Sequence, residues 1–107
     1  VENPGVFAAL SDPTRRLLVE WLSAEESGTA TGFAARLPIS RQAVARHLQE
    51  LELAGLVRSE RVGRETRFSL ETEPLTEAAG WLAQRAEVWD STLGRLKQHL
   101  EAESAGD

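Results

Sequence analysis

A mainly α chain that carries one small β-hairpin and ends in a long helix is the fold class this sequence predicts. Three patterns point to it. Apolar residues recur at three- and four-residue steps from Leu17 and again from Val44. Two β-prone runs flank Gly63-Arg64-Glu65, and a sustained apolar seam follows Pro74. The 107 residues suffice for one core and leave no room for a separate catalytic domain. One domain over 1–107 is therefore expected, divided into an N-terminal helix (1–10), a core (13–70) and a C-terminal helix (74–100).

Phe7, Ala8 and Leu10 make a short apolar patch that ends at Ser11-Asp12-Pro13-Thr14. Asp12 suits a helix N-cap and Pro13 the first helical position, where no backbone donor is needed. Leu17, Leu18, Trp21 and Leu22 then give the following helix one buried face, ending near Ser23. Gly28 to Thr31 allows a brief extended segment before a helix over 32–37, which Pro38 stops. After a three-residue turn, Ser40 caps a helix over 41–54, with Ile39 and Val44 spaced as a hydrophobic staple and Gly55 as the left-handed stop. Its buried side draws on Val44, Leu48, Leu51 and either Leu53 or Ala54.

Leu56 to Val62 and Thr66 to Leu70 read as strands joined by a three-residue loop. On the second, Phe68 and Leu70 should face inward, and Arg67 and Ser69 outward. Two helices joined by a tight turn and followed by a hairpin give the order of a winged helix-turn-helix, with the wing over 57–70. Beyond Pro74, the residues Leu75, Ala79, Leu82, Ala86, Trp89, Leu93, Leu96 and Leu100 alternate steps of four and three. That is a heptad-like seam, and the helix is longer than a small domain needs for its own core.

Composition narrows the function classes. A hydrophobic fraction of 41%, spread along the chain, argues against disorder. Apolar stretches are short and interrupted by charge, so no membrane span is expected. Val1-Glu2-Asn3-Pro4 lacks the pattern of a secretory signal, and cysteine is absent, which fits a cytoplasmic location and removes thiolate metal ligands. The net charge of -5 hides an asymmetry: residues 36–67 hold seven Arg against four Glu, while the rest of the chain is strongly acidic. One basic surface on an acidic protein is the footprint of a phosphate-facing patch, although scattered solvated charge gives the same total.

The polar side of helix 41–54 presents Gln42, Ala45, Arg46 and Gln49, with Arg41 and the cap Ser40 at its start. Arg can donate twice to guanine, Gln can pair with adenine, and Ala45 lets a backbone approach or meets a thymine methyl. An ordinary polar helix face has the same composition; its position after a tight turn is what makes it specific. His47 borders the two faces and could donate to a phosphate or simply pack. Arg64 sits at the hairpin tip, and Arg58, Arg61 and Arg67 are candidate backbone contacts that Glu60 and Glu65 could instead neutralise.

Phe7-Ala8-Ala9-Leu10-Ser11-Asp12-Pro13-Thr14-Arg15-Arg16 resembles the opening signature of the ArsR-type family of bacterial winged-helix regulators. The run Ile39 to Leu48, followed by Leu51, Ala54-Gly55-Leu56-Val57 and Gly63-Arg64, is similar to the same family. The resemblance spans Phe7 to about Leu100. It implies a DNA-binding transcription regulator acting as a homodimer on duplex DNA: a repressor whose first and last helices pair and whose two recognition helices enter a roughly palindromic operator. The dimer contact would then include Phe7, Leu10, Leu82, Trp89, Leu93, Leu96 and Leu100, which could alternatively pack within the chain.

Metal sensing, the best-known trait of that family, is not expected. Ala45, Arg46 and His47 stand where sensor cysteines would lie, and Thr92 interrupts the set Asp90, His99, Glu103 on the last helix. No cofactor is expected. Catalysis is not expected either, since there is no Gly-rich phosphate loop, no thiol and no His set beside a nucleophile. Two rivals remain: a winged helix used as a protein-interaction module, and a regulator that also responds to a small-molecule effector near Trp81 and Trp89.

Overall fold

The computed structural model describes residues 5–105, with side chains to Glu103. Its order is α1 (Gly5–Ala9), α2 (Pro13–Ala24), α3 (Ala30–Ala34), α4 (Arg41–Leu53), β1 (Val57–Val62), β2 (Glu65–Leu70) and α5 (Glu73–Ala105). Positions 1–4 of the expected N-terminal helix lie outside the described residues. The fold class matches the expectation, and the details that differ have local causes.

Asp12 caps α2 by accepting from the Arg15 backbone N–H at 2.9 Å, with Pro13 opening the helix. Helix α3 starts earlier than expected because the Thr29 hydroxyl caps it, accepting from Gly32 at 3.0 Å. It also ends at Ala34, well before Pro38. Tighter bonds from Arg36 to the Phe33 carbonyl (3.0 Å) and from Leu37 to that of Ala34 (3.3 Å) carry the chain onward as a loosened last turn.

Ser40 caps α4 through the Ala43 N–H at 3.1 Å. At the other end Gly55 adopts φ +80°, donating to the Glu52 carbonyl at 2.9 Å, while Leu56 donates to Leu51 at 2.9 Å. These two bonds satisfy carbonyls that the helix end would otherwise orphan, and Leu51 and Leu56 are both fully buried beside them. The choice between Leu53 and Ala54 falls to Ala54, which is 7% exposed against 83% for Leu53.

β1 and β2 pair antiparallel from Val57↔Leu70 to Val62↔Glu65, so Gly63-Arg64 alone forms the turn. The loop is two residues rather than three. Gly63 has φ +64° and Arg64 does not share the positive φ, which fits a turn with glycine first. Gly28 adds an antiparallel bridge to Phe68, with backbone bonds of 2.9 and 2.8 Å. The core gathers Leu18, Leu22, Phe33, Val44, Leu48, Leu51, Leu56, Val57 and Phe68, joined by Val6 and Ala9 from α1 and Ala78 from α5.

Only the start of α5 reaches that core. The helix runs 33 residues, or about 50 Å. The radius of gyration is 20.3 Å, against about 13 Å for a compact chain of this length. Among the described residues, no helix is long and apolar enough to cross a membrane.

Candidate nucleic-acid interface

The seven arginines of the basic middle separate once their partners are known. Arg36 forms an ion pair with Glu25 and lies over the rings of Trp21 (5.0 Å) and Phe33 (5.5 Å). The same bond holds the Glu25 carboxyl below its ordinary value. Arg58 contacts Glu71 at 3.3 Å. Arg67, expected to face outward, is half-buried. Its Nε donates to Ser27 Oγ at 2.8 Å and its Nη1 meets Glu65 at 3.0 Å. It ties the wing to the loop after α2. Arg41, Arg46, Arg61 and Arg64 are left with no carboxylate partner among the described residues.

Three of these four converge. Arg41, Arg61 and Arg64 line one cleft of about 510 Å³ between the start of α4 and the wing, together with Ala45 and residues 29–32. Glu65 is the one acidic side chain in its lining. Arg41 Nε donates to Thr31 Oγ1 at 3.0 Å, anchoring its stem to α3, and Arg61 Nε donates to the Gly63 carbonyl at 3.2 Å. Neither contact cancels charge, so both guanidinium groups are positioned and still cationic. Arg46 and Arg64 make no side-chain bond to any described residue.

Along α4, Gln42, Arg46 and Gln49 are exposed and Ala45 is half-buried, so the polar side is open to solvent as a strip. Gln42 and Gln49 also lack side-chain partners among the described residues, leaving their amides free to pair. The capping hydroxyl of Ser40 already accepts from Ala43, and it remains at the exposed helix start. His47 differs. Its Nδ1 is buried without a hydrogen-bond partner and stands 3.8 Å from the Asp12 carboxylate, between α4 and the cap of α2. The Asp12 carboxyl is held below its ordinary value, chiefly by the Arg15 backbone N–H and further by His47 and Arg15 charge.

Sequence reasoning did not single out Thr31, Ser27 or Asp12 as supports for these side chains. A signal existed for Thr29-Ala30-Thr31-Gly32, since a threonine three residues before a glycine N–H is cap chemistry. The contacts of Ser27 and Asp12 had no local signal.

A second exposed surface is apolar. Leu82 (51%), Trp89 (62%), Leu93 (44%), Leu96 (53%) and Leu100 (53%) all stand open along α5. Phe7 is 36% exposed and its ring lies 5.6 Å from that of Trp81, while Leu10 is half-buried against the core. On the same helix His99 and Glu103 approach to 3.0 Å, and no group of three or more potential metal ligands gathers among the described residues.

A family model described as a helix-turn-helix domain matches residues 10–60, from the end of α1 into β1. The HTH-type transcriptional regulator YuzN of Bacillus subtilis is 40% identical over 84 residues, covering 72% of this chain and 91% of the relative. The transcriptional repressor SdpR of the same organism is 32% identical over 88 residues, covering 82% and 97%. Among solved structures, an ArsR-like transcriptional regulator from Rhodococcus sp. RHA1 superposes with a TM-score of 0.76 at 42% identity, covering 91% of each chain. This chain belongs to the ArsR-type family of winged helix-turn-helix transcription regulators.

Proposed function

We propose that the chain is a dimeric repressor that grips a roughly palindromic operator through α4 and the wing, with no metal as its signal. One observation carries the reading. Of the seven arginines between residues 36 and 67, the four with no carboxylate partner among the described residues lie on α4 and the hairpin, and three of them share one cleft. In this arrangement Gln42, Arg46 and Gln49 read base edges in the major groove, with Ala45 admitting close approach. Arg41, Arg61 and Arg64 hold phosphates on either side, and the capped helix start at Ser40 faces the backbone. His47 and Arg67 act as supports, fixing α4 against α2 and the wing against the loop after α2.

Repression is supported by SdpR, named a repressor, at 32% identity. The absence of cysteine and the isolation of His99 with Glu103 support a signal other than a metal. Regulation, not catalysis, is what the relatives' names describe.

Selection of bound duplexes from a random DNA pool tests the proposal. The expected product is an inverted repeat with half-sites about 34 Å, one helical turn, apart. Arg46→Ala or Gln42→Ala then relaxes preference at one position per half-site by about 1–3 kcal/mol. Failure to enrich any duplex, or unchanged selections with both variants, would reject it.

A further inference from the structure

We infer that Thr31 of α3 is a positioning residue for DNA binding: its hydroxyl holds Arg41 so that both terminal nitrogens stay free to clasp one phosphate. The inference rests on the DNA reading above and goes beyond it by giving α3 a part in affinity, acting through Arg41. Its source is a bond between two helices. Arg41 Nε donates to Thr31 Oγ1 at 3.0 Å across ten positions of sequence. Nη1 and Nη2 of Arg41 have no partner among the described residues. A guanidinium engaged through Nε keeps its Nη1–Nη2 edge as a two-donor fork, the geometry that matches a phosphate.

A tether is needed at this position. Arg41 is the first residue of α4, and the first turn of that helix holds no acidic side chain. The unpaired backbone N–H groups there give the helix start a partial positive charge, which draws anions and repels a cation. Left alone, a long side chain at that point would swing into solvent. Ordering it on DNA would then cost conformational entropy at the moment of binding. Thr31 orders it beforehand, in the free protein. A hydroxyl does so without the loss of charge that a carboxylate partner would bring.

The other free cations of this surface are held differently. Arg61 is tied within its own hairpin, to the Gly63 carbonyl two residues on at 3.2 Å. Arg46 and Arg64 make no side-chain bond to any described residue. Of the four, Arg41 is the one whose aim depends on another element. Thr31 is itself well fixed. The Thr29 hydroxyl caps α3 through Gly32, the Thr31 carbonyl accepts from the Ala35 N–H at 3.3 Å, and Phe33 anchors the short helix in the core at 2% exposure. Oγ1 of Thr31 therefore stands at a set point on the wall of the cleft that Arg41, Arg61 and Arg64 share.

The test is a cycle of variants, read as affinity for the selected duplex at several salt concentrations. Thr31→Val keeps the shape of the side chain and removes its hydroxyl. It should weaken binding roughly three- to tenfold per bound chain, with the salt slope unchanged because Arg41 keeps its charge. Thr31→Ser should return binding to within about twofold of the parent. Arg41→Ala should flatten the slope by about 1.8 for a dimer, and in that background Thr31→Val should cost nothing further. Arg41→Lys should keep the slope, lose the fork and become insensitive to residue 31. A Thr31→Val loss that persists beside Arg41→Ala would show that Thr31 touches DNA itself or supports the fold, and would overturn the inference. Parent-like affinity in Thr31→Val would overturn it too, and both results leave the DNA reading intact. A parent that binds no duplex would overturn that reading and the inference together. Without DNA, the Arg41 Nε–H should exchange with water faster in Thr31→Val than in the parent, as followed by nitrogen NMR; equal rates would contradict the tether.

Discussion

Leu48 and Leu96 are the same side chain in the same kind of secondary structure, yet Leu48 is 0% exposed and Leu96 is 53% exposed. The first sits in α4, closed in by α2, α3 and β1. The second sits on the half of α5 that runs clear of the core and stretches the molecule to 75 Å along its longest axis. The contrast separates two sources of order. From α1 to β2 the apolar faces are satisfied within the chain, and no polar side chain is buried among them in the described residues. Beyond Trp81 a seam with equal periodicity is left open, with Leu82, Trp89, Leu93, Leu96 and Leu100 all exposed.

The largest expected difference lies in truncating these two leucines. Leu48→Ala should remove about 3 kcal/mol of folding stability, by lost burial and a residual cavity, as read by urea unfolding. Leu96→Ala should change the unfolding free energy by under about 0.5 kcal/mol at concentrations where the chain is monomeric. A large loss from Leu96→Ala under those conditions would show that the seam packs internally.

Gly28 probes the join between wing and core. A Cβ added there would stand 2.2 Å from the tip of the Phe33 ring, which is 2% exposed and cannot swing away. Gly28→Ala should therefore cost about 1–3 kcal/mol in the same unfolding assay. A neutral result would mean that the backbone of residue 28 can withdraw from Phe33 while keeping its bridge to Phe68.

Asp12 gives a smaller and pH-dependent effect. Loss of the cap in Asp12→Ala should destabilise by about 1 kcal/mol at neutral pH. The folded carboxyl titrates below its ordinary 3.8, so its contribution is present above that value and lost as the pH falls through the lower folded value. The gap between parent and variant should close below about pH 4. A gap that stayed constant to pH 2 would show that the charge of the cap is irrelevant.

The smallest effect, opposite in sign, belongs to the free part of α5. Gly94 lies in mid-helix, off the seam, and a Cβ there meets nothing within 4 Å. Gly94→Ala should stabilise by about 0.5–1 kcal/mol through helix propensity, measured as a raised thermal midpoint. Destabilisation would place a close neighbour at Gly94 in the assembled protein.

Much of this architecture was legible because its causes are local. Asp12-Pro13, Ser40 and Gly55 carry their capping chemistry in adjacent residues, and the seam of α5 repeats for long enough to be read. Helix α3 was misplaced because five residues span too few turns to display a period. The hairpin loop was counted one residue too long because Glu65 resembles turn composition, while its pairing with Val62 depends on the partner strand. The arginines could not be sorted from sequence. Arg36 finds Glu25 eleven positions away, and Arg67 finds Ser27 forty positions away. Residue type announced a basic surface; only tertiary packing decided which cations stay free on it.

That sorting is the centre of the account, and the salt dependence of operator binding tests it most directly. Each phosphate contact steepens the fall of log affinity with log salt by about 0.9, and a dimer carries every contact twice. Arg64→Ala should flatten the slope by about 1.8, whereas Arg36→Ala, which removes a cation already paired with Glu25, should leave it unchanged. Equal slopes for the parent and Arg64→Ala, or a flattened slope for Arg36→Ala, would contradict the assignment of the free arginines to the DNA face.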